Sequence, residues 1–537
     1  MLDRLWAALA IEICVRNRID HFFLAPGSRC TPLTLAIAER NDVKVTQHFD
    51  ERALAFAALG YGRAVGKPGV FVCTSGTAVA NAMPAVIEAS TECVSMLLFT
   101  ADRPPELRDS GANQTIEQRQ IFGSYPRWFF DMSCPNQELG NEYVCDKVMR
   151  AIAESNSGPV HLNWMFREPF GLETLPSPAI GEIPTLAKNE QPSLAKQIAV
   201  RGNVLVIAGG CRPEEAATIK QLATRIGAPL LTDVTSGMRG IAPDVVTNAK
   251  LPQPDTVIHV GGRIVSKNWL TYTSELKQTR FIHLTPRDIV INPNHLEIER
   301  TVARIDSAEV RSVSSTAAEF REAWVSAEES RRGAVRRVFD SQGDQLSEPR
   351  LAFEISSLLQ SGHALMIGNS TPIRDLDWYG FWPEETNVVV LANRGASGID
   401  GLIATGVGAA SGLECPTTIV LGDLSALHDL NSLALVAKSA FPILLVIINN
   451  HGGGIFDLLP IKQNEHFEQY FSTPHAIEFE KAASMFGLAY QSVATLSEFV
   501  EAYSKGCQSN TSQVIEVKTD RAYNEEVRSQ LRAEISK

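Results

Sequence analysis

Two polar clusters in the last third of the chain contain the residue types that bind a divalent cation. Gly422-Asp423-Leu424 follows the apolar run 417–421, and Asn449-Asn450-His451-Gly452 follows the apolar run 443–448. Each run has the length of a β-strand, and the carboxyl ends of neighbouring parallel strands meet at the sheet edge where ligands bind. A carboxylate, an amide oxygen and a backbone carbonyl suit Mg²⁺, whose remaining positions go to phosphate oxygens and water. The sequence therefore predicts a magnesium–phosphate site with Asp423, Asn450 and Gly452 as ligands.

The spacing of the two clusters is more specific than either cluster alone. Gly-Asp turns and Asn-Asn-x-Gly loops are each common in ordinary connections. Together, about two dozen residues apart, they resemble the thiamine-diphosphate fingerprint, G-D-x followed by N-N, although Leu424 stands where that fingerprint has a third glycine. The resemblance implies that the cofactor contacts Gly422, Asp423, Leu424, Ser425, Asn450, Gly452, Gly453 and Ile455.

A cofactor of this kind also needs an acid at its aminopyrimidine ring. The ring's amino group becomes a base for the thiazolium carbon only when the opposite ring nitrogen is protonated. In enzymes with this fingerprint a glutamate after the second strand of the first domain has this role, and Glu51 in His48-Phe49-Asp50-Glu51-Arg52 matches it. The helix dipole also favours an acidic residue in a first helical turn, so the assignment depends on the presence of Asp423 and Asn450.

Short apolar runs separated by helical patterns predict parallel sheets built from βαβ units. The same order of runs and loops occurs twice, with predicted strands at 21–24, 45–49, 70–73 and 95–99, and again at 365–367, 388–391, 417–421 and 443–448. We predict an α/β fold of three doubly wound parallel-sheet domains of the thiamine-diphosphate enzyme type. These are a pyrimidine-binding domain at 1–175, a central domain at 186–335 with a strand at 203–207, and a diphosphate- and metal-binding domain at 345–537. Segments 175–178 and 183–185 are predicted to be linker.

Other patterns predict packing or surface rather than chemistry. The Gly-x-Gly pairs at 60–62 and 406–408 resemble dinucleotide-binding loops, but they lie inside helical patterns and predict close helix packing. The charged stretch 328–337 predicts a solvent-exposed helix. The chain has no G-x-S-x-G motif, which excludes an α/β-hydrolase type of serine hydrolase.

Composition limits the partners of the protein. The formal net charge of −12 opposes binding to nucleic acid and to anionic membrane surfaces. The first residues lack the pattern of a signal peptide, and the longest apolar runs have strand length, too short to cross a bilayer. The nine cysteines never form a C-x-x-C pair, so neither a disulfide framework nor a zinc site is indicated. We expect a cytoplasmic enzyme that neither binds nucleic acid nor inserts into a membrane.

Beyond the cofactor fingerprint, the chain resembles the 2-succinyl-5-enolpyruvyl-6-hydroxy-3-cyclohexene-1-carboxylate synthase family of menaquinone biosynthesis. The resemblance spans both outer predicted domains. It is carried by the segments Ala25-Pro26-Gly27-Ser28-Arg29, Phe49-Asp50-Glu51-Arg52, Thr100-Ala101-Asp102-Arg103-Pro104-Pro105 with Asn113-Gln114, Asn393-Arg394-Gly395-Ala396-Ser397-Gly398-Ile399-Asp400-Gly401, and Gly422-Asp423-Leu424-Ser425.

The resemblance implies a transferase that decarboxylates 2-oxoglutarate on thiamine diphosphate and adds the succinyl carbanion equivalent to isochorismate by 1,4-addition. Because both substrates are dicarboxylates, the site should be rich in arginines that grip carboxylates at two points. The implied substrate contacts are Ser28, Arg29, Arg103, Gln114, Lys267, Ser370, Arg374, Arg394, Ile455, Phe456 and Leu459. Ser28, Arg29 and Gln114 are implied to act in catalysis with Glu51, while Ile399 would hold the cofactor bent. Mg²⁺ or Mn²⁺ is implied, as is a homodimer or a dimer of dimers (homotetramer) with each active site between two subunits.

Two alternatives stay open at this stage. Another thiamine-diphosphate enzyme, such as an acetolactate synthase or a simple 2-oxoacid decarboxylase, would share Glu51, Asp423 and Asn450, but it would need fewer carboxylate contacts than the four arginines supply. A binding protein that retained the fold and lost the chemistry would have no physical need for all three of those residues. The intact set therefore favours an enzyme.

Overall fold

The computed structural model describes residues 2–171, 197–238, 240–248, 250–313, 316–381 and 388–537. The chain divides into two compact units. The first comprises Met1–Asn189, Asn393–Glu414 and His428–Ala440, and the second comprises Glu190–Ala392, Cys415–Leu427 and Phe441–Lys537. The predicted linker segments lie outside the described residues. The three predicted domain boundaries stay predictions.

The first unit contains a sheet of six parallel strands. They are β1 (His21–Leu24), β2 (Lys44–Gln47), β3 (Gly69–Cys73), β4 (Met96–Asp102), β5 (Trp128–Met132) and β6 (Pro159–Met165). Their order across the sheet is β2-β1-β3-β4-β6-β5, and each neighbouring pair is parallel. The strands predicted in this part of the chain are all present. β1, β3, β4 and β6 are fully buried, as is typical of parallel sheets covered on both faces, whereas the edge strand β2 is largely exposed.

Helices connect the strands of the first sheet. They are α1 (Leu2–Arg16), α2 (Thr31–Ala38), α3 (Glu51–Val65), α4 (Thr77–Asn81), α5 (Met83–Thr91) and α6 (Asn141–Glu154). Helix α3 begins where it does because the Asp50 side chain accepts the N–H groups of Arg52 and Ala53, at 3.0 and 3.2 Å. It ends at Gly66, which adopts a φ of 70°. Glu51 is therefore the first residue of a firmly capped helix.

The central part of the chain forms a smaller α/β layer within the second unit. Its strands are β7 (Gln197–Val200), β8 (Val204–Ala208), β9 (Leu230–Thr232), β10 (Thr256–Val260), β11 (Arg280–Thr285), β12 (Ile298–Val302) and β13 (Glu309–Ser312). Five of them form a parallel sheet in the order β12-β11-β10-β8-β9, and β13 pairs with β7. The helices are α7 (Pro213–Ile226), α8 (Lys267–Glu275) and α9 (Ala318–Asp340). The strand predicted at 203–207 is β8.

The third sheet repeats the topology of the first. Its strands are β14 (Ala364–Ile367), β15 (Val389–Ala392), β16 (Thr417–Gly422), β17 (Ile443–Asn449), β18 (Ala489–Val493) and β19 (Gln513–Lys518). The order β15-β14-β16-β17-β19-β18 matches the first sheet strand for strand, which confirms the predicted internal repeat.

The remaining helices follow in the last part of the chain. They are α10 (Glu348–Leu358), α11 (Thr371–Tyr379), α12 (Leu402–Leu413), α13 (Asp423–His428), α14 (Leu433–Lys438), α15 (Glu480–Met485), α16 (Leu496–Cys507) and α17 (Arg521–Ile535). Among the described residues, no helix combines the length and the apolar character needed to cross a membrane.

Within the first unit, α3 and α12 pack at backbone distance through their glycines. A Cβ added to Gly60 would lie 2.0 Å from the carbonyl oxygen of Thr405, and one added to Gly408 would lie 1.9 Å from that of Ala57. Both distances are far inside van der Waals contact, so only glycine fits at these positions. The prediction that these Gly-x-Gly pairs serve helix packing is confirmed.

The prediction that 328–337 forms a solvent-exposed helix is right for one face and wrong for the other. Glu329, Arg336 and Arg337 are exposed. The stretch is helical within α9, but Glu328 and Arg331 are each only 4% exposed. Glu328 pairs with Arg331 at 2.7 Å and with Arg332 at 2.6 Å. Because the charges are paired and hydrogen-bonded with each other, the cost of removing them from water is offset and the charged face can be buried.

Candidate active site

The Asp423 and Asn450 clusters are neighbours in the second unit. Strands β16 and β17 are parallel partners with Gly422 opposite Ile448, so the residues that follow them emerge at the same sheet edge. The backbone N–H of Gly452 donates to Oδ2 of Asp423 at 3.0 Å. The loop after β17 therefore closes directly onto the carboxylate after β16.

Asp423 is a buried carboxylate held by backbone donors. It is 2% exposed, and its Oδ1 accepts the N–H of Leu424 at 2.6 Å. Nε2 of His475 lies 3.2 Å from Oδ2. Burial raises the pKa of Asp423, while the Gly452 N–H and the nearby His475 oppose that rise. A cation bound at this carboxylate would favour its ionised form.

Asn450 presents an amide oxygen that has no partner in the described part of the chain. Its Nδ2 donates to Oε1 of Glu348 at 2.6 Å, while its Oδ1 is buried and accepts no hydrogen bond there. A buried acceptor without a partner is costly, so it indicates a missing ligand. No described residue comes within 4 Å of a Cβ built on Gly422, so there is space beside the end of β16. An unpaired amide oxygen and a carboxylate fit the oxygen ligands of Mg²⁺.

The glycines of the loop after β17 fix its path. Gly452 adopts a φ of 154°, and a Cβ there would lie 2.5 Å from the carbonyl oxygen of Ser472. The N–H of Gly453 donates to that same carbonyl at 2.7 Å. The hydroxyl of Ser472 in turn accepts from Arg521. The loop is therefore held against the segment around Ser472 and cannot take a larger residue at position 452.

Most other predicted residues of the second unit follow the ends of β14, β16 and β17. Ser370 and Arg374 follow β14, the neighbour of β16, and Nη1 of Arg374 donates to the carbonyl of Ser370 at 2.6 Å. The predicted contacts that follow β16 and β17 differ in exposure. Ser425 and Gly453 are buried, Leu424, Ile455 and Phe456 are partly buried, and Leu459 is exposed. Lys267 is the exposed first residue of α8. In the described residues no hydrogen bond or ion pair joins it to the loops at Asp423 and Asn450.

Two arginines follow strand ends of the first sheet. Arg29 is buried, with Nη1 donating to the carbonyl of Phe166 at 3.0 Å and Nη2 to Glu168 at 2.8 Å. Burial lowers the pKa of Arg29, and the positive charge of nearby Arg103 lowers it further. Two guanidinium groups close enough to affect each other favour an anionic ligand.

Ser75, which sequence analysis did not identify, connects Arg103 with Gln114. Nη1 of Arg103 donates to Oγ of Ser75 at 2.7 Å, and Nε2 of Gln114 donates to the Ser75 carbonyl at 2.9 Å. Ser75 donates back to the carbonyl of Gln114 at 3.1 Å. Ser28, in the loop just before Arg29, is exposed. Ser28 and Arg29 thus lie on the connection after β1, and Arg103 and Gln114 lie on the connection after β4, where both contact Ser75 at the end of β3.

Glu51 lies at the same edge, after β2. It is partly buried, and no hydrogen bond or ion pair to its carboxylate is found in the described part of the chain. Burial raises the pKa of the Cys30 and Cys73 thiols, and the Glu51 carboxylate adds to the rise in both. Because Cys73 is the last residue of β3, the Glu51 carboxylate lies near that strand end. Among the described residues it has no hydrogen-bond or ion-pair partner, so it is available to a ligand.

The loop that carries Arg394 and Ile399 is fixed by Glu88, a second residue that sequence analysis missed. The buried Glu88 carboxylate accepts the N–H of Gly395 at 3.0 Å and that of Ala396 at 2.7 Å. Ile399 is 41% exposed on this loop. A carboxylate that holds two consecutive backbone N–H groups sets the direction of the loop, and therefore that of its side chains.

Comparison of the chain with known proteins finds matches along nearly its whole length. Three family models match it: "Thiamine pyrophosphate enzyme, N-terminal TPP binding domain" at 6–121, "Middle domain of thiamine pyrophosphate" at 184–367, and "Thiamine pyrophosphate enzyme, C-terminal TPP binding domain" at 385–517. A Salinibacter ruber protein is 39% identical over 99% of this chain and 96% of its own length. A Rubrobacter xylanophilus protein is 42% identical over 97% of this chain and 96% of its own. Both are named 2-succinyl-5-enolpyruvyl-6-hydroxy-3-cyclohexene-1-carboxylate synthase.

Proposed function

The chain belongs to the 2-succinyl-5-enolpyruvyl-6-hydroxy-3-cyclohexene-1-carboxylate synthase family, and on that premise we propose that it decarboxylates 2-oxoglutarate on thiamine diphosphate and transfers the remaining succinyl unit to isochorismate by conjugate addition. The observation that carries the proposal is Oδ1 of Asn450, which is buried and has no partner among the described residues, on the loop that closes onto the Asp423 carboxylate. These oxygens are the ligand types that a magnesium ion takes alongside phosphate oxygens.

We assign the cofactor and metal to the strand ends of the second unit. Asp423, Oδ1 of Asn450 and the backbone carbonyl of Gly452 would hold Mg²⁺ or Mn²⁺, and the ion would hold the diphosphate. The remaining cofactor contacts would be Gly422, Leu424, Ser425, Gly453, Ile455 and Ile399. When bound, the cofactor supplies the carbon that takes up the 2-oxoacid and stabilises the electrons left as CO₂ departs.

We assign protonation of the cofactor's aminopyrimidine ring to the strand ends of the first sheet. We assign binding of the substrate carboxylates to those strand ends and to the loops that carry the predicted substrate contacts. Glu51, whose carboxylate is uncommitted, would keep the aminopyrimidine nitrogen protonated. Arg29 and Arg103, a pair of neighbouring cations, would bind substrate carboxylates. The further substrate contacts would be Ser28, Gln114, Lys267, Ser370, Arg374, Arg394, Ile455, Phe456 and Leu459.

Product analysis tests the reaction directly. With 2-oxoglutarate, isochorismate, thiamine diphosphate and Mg²⁺, we expect release of one CO₂ per product and a product mass equal to both substrates minus CO₂. Omission of isochorismate should leave only slow CO₂ release, since the acceptor is missing. Pyruvate in place of 2-oxoglutarate is the control, because it lacks the second carboxylate. Faster CO₂ release from pyruvate than from 2-oxoglutarate would contradict the proposal and favour an acetolactate synthase or a simple 2-oxoacid decarboxylase.

We also propose that the enzyme is a homodimer, or a dimer of dimers, in which Glu51 of one subunit serves the metal site of the other. Phe49, two residues before Glu51, is 60% exposed in the single chain, and Ile399 is also exposed. Large exposed apolar side chains next to assigned site residues are typical of surfaces that become covered on association.

Mixing two inactive variants distinguishes a shared site from a site within one chain. We expect Glu51→Gln and Asp423→Asn each to be inactive alone. After subunit exchange in an equal mixture, half of the dimers would be mixed and each would hold one intact site, so activity should return to about a quarter of the wild-type value. The mixture of either variant with itself is the control. No recovery, with mixed dimers demonstrated by native mass spectrometry, would contradict the shared site.

The cysteines support a cytosolic location. All nine are described, and each is a free thiol. Burial raises the pKa of Cys14 and of Cys211 to about 12, so these two thiols stay protonated and unreactive near neutral pH. Unpaired cysteines in this number are typical of a reducing compartment.

A further inference from the structure

Glu348, at the start of α10, lies at the centre of a buried polar network that reaches the assigned metal site. The side chain is 2% exposed. Its Oε1 accepts from Nδ2 of Asn450 at 2.6 Å and from Nδ2 of Asn524 at 3.0 Å. Its Oε2 accepts from Arg528 at 2.8 Å. Each carboxylate oxygen is therefore occupied by donors, and one of those donors belongs to an assigned metal ligand.

The contact determines which way the Asn450 amide faces. An ionised carboxylate only accepts hydrogen bonds, so the amide group nearest to Glu348 must be the NH₂. The amide oxygen then points the opposite way, where it is buried without a partner in the described part of the chain. We propose that Glu348 is a positioning residue that fixes this orientation and so presents Oδ1 of Asn450 to the divalent cation. The inference rests on the metal site of the proposed function.

The orientation of Glu348 is itself fixed on several sides. Arg528 also donates to both oxygens of the buried Asp375, which keeps the guanidinium facing Oε2 of Glu348. The backbone N–H of Glu348 donates to Oδ1 of Asn524 at 2.8 Å, which leaves Nδ2 of Asn524 to face Oε1. Ser347 caps the helix by accepting the N–H of Arg350. Packing and hydrogen bonds therefore hold the carboxylate in one rotamer.

A neutral isostere would reverse the Asn450 amide. In Glu348→Gln, the cationic Arg528 would keep the glutamine oxygen facing it, so the glutamine NH₂ would face Asn450 and also Nδ2 of Asn524, which would lose its acceptor. Two NH₂ groups cannot hydrogen-bond to each other, so Asn450 would turn its oxygen toward position 348 and its NH₂ toward the metal. We expect the affinity for Mn²⁺, in the presence of thiamine diphosphate, to fall by about 10- to 100-fold.

Glu348→Gln should raise Mn²⁺ affinity, rather than lower it, when position 450 carries a carboxylate. In Asn450→Asp, the new carboxylate faces Glu348 with no N–H between them, so the two negative charges repel each other. Adding Glu348→Gln places an NH₂ donor against one oxygen of the new carboxylate and leaves its second oxygen for the metal. We therefore expect Glu348→Gln to raise Mn²⁺ affinity by about tenfold in the Asn450→Asp background. If Glu348 only stabilised the fold, Glu348→Gln would change Mn²⁺ affinity in the same direction in the wild-type and the Asn450→Asp backgrounds.

The experiment measures Mn²⁺ binding by electron paramagnetic resonance, with the full-length chain and saturating thiamine diphosphate, for the wild type, both single variants and the double variant. Glu328→Gln is the matched control, because Glu328 is a buried glutamate paired with arginine that does not contact Asn450. The control should keep wild-type Mn²⁺ affinity. Thermal unfolding of the metal-free proteins reports stability separately.

The outcomes separate this inference from the proposed function. Opposite effects of Glu348→Gln in the two backgrounds support the positioning role. If Glu348→Gln alone does not fold, tighter Mn²⁺ binding by the double variant than by Asn450→Asp still supports it. Effects of the same sign, or wild-type Mn²⁺ affinity in Glu348→Gln, would overturn the inference while leaving the proposed function intact. Failure of the wild type to bind Mn²⁺ with the cofactor would overturn both.

Discussion

Replacement of Asp423 by asparagine is expected to weaken Mg²⁺-dependent binding of thiamine diphosphate by about a hundredfold or more and to abolish turnover. The amide has no charge to offer the cation. It also places an NH₂ group against one of two backbone donors, the N–H of Leu424 or of Gly452. Calorimetric titration with the cofactor, with and without Mg²⁺, measures the effect. The wild type should show a large dependence on the metal, and the variant a small one.

Asp429→Asn is the matched control for that change. Asp429 is also buried, and it accepts the N–H groups of Ile403 and Ala404 at 2.9 and 3.1 Å. Both N–H groups bond to Oδ2, so the asparagine oxygen can keep them while its NH₂ faces the hydroxyl of Ser432, which can accept. We expect a smaller fall in melting temperature than in Asp423→Asn. Cofactor affinity should be unchanged, because Asp429 is not assigned to the metal. Equal cofactor affinity of Asp423→Asn and the wild type in Mg²⁺ would rule out Asp423 as the metal ligand.

Glu51→Gln should separate cofactor binding from cofactor activation. Glutamine has nearly the same shape but cannot hold a proton at the aminopyrimidine nitrogen, so we expect cofactor affinity close to that of the wild type. Exchange of the proton on the reactive thiazolium carbon should be slower by about 10²- to 10⁴-fold, the usual contribution of a general acid or base. Hydrogen–deuterium exchange at the bound cofactor, stopped by acid and read by NMR, measures this rate.

Asp50→Asn tests whether loss of any carboxylate at the start of α3 gives the same effect. Asn keeps a side-chain oxygen that can cap α3 through the N–H of Arg52, and asparagine caps helices as well as aspartate does. This variant should exchange the proton at the wild-type rate. An unchanged rate in Glu51→Gln, or an equal loss in both variants, would count against the assigned role of Glu51.

The parts of this protein that depend on local pattern could be predicted from sequence. The buried strands at 21–24 and 443–448 are continuous apolar runs bounded by polar loops, a pattern that strongly favours parallel strands. The Gly-x-Gly pairs inside helical patterns predicted backbone contact, which the packing of Gly60 against Thr405 confirms. The spacing of Asp423 and Asn450 predicted that they share a sheet edge.

The parts that depend on distant segments could not be predicted. Glu348 lies 102 residues before Asn450 in the chain, and Ser347-Glu348-Pro349 by itself predicts only a helix start. Glu88 and the Arg394 loop are likewise far apart in sequence. The charged stretch 328–337 is typical of a solvated helix, and only the packing of α9 decides that Glu328 and Arg331 are buried.

The amino-acid sequence alone therefore determined the α/β class and the repeated strand order, and it indicated the loops that we assign to the cofactor, because hydrophobic period, turn chemistry and short motifs act over a few neighbouring residues. Tertiary structure alone decided that Oδ1 of Asn450 has no partner in the described part of the chain, which donors hold Asp423, and that Glu88 fixes the loop that carries Arg394. Those features depend on burial and on hydrogen-bond partners that folding brings together from distant parts of the chain, and no local pattern encodes them.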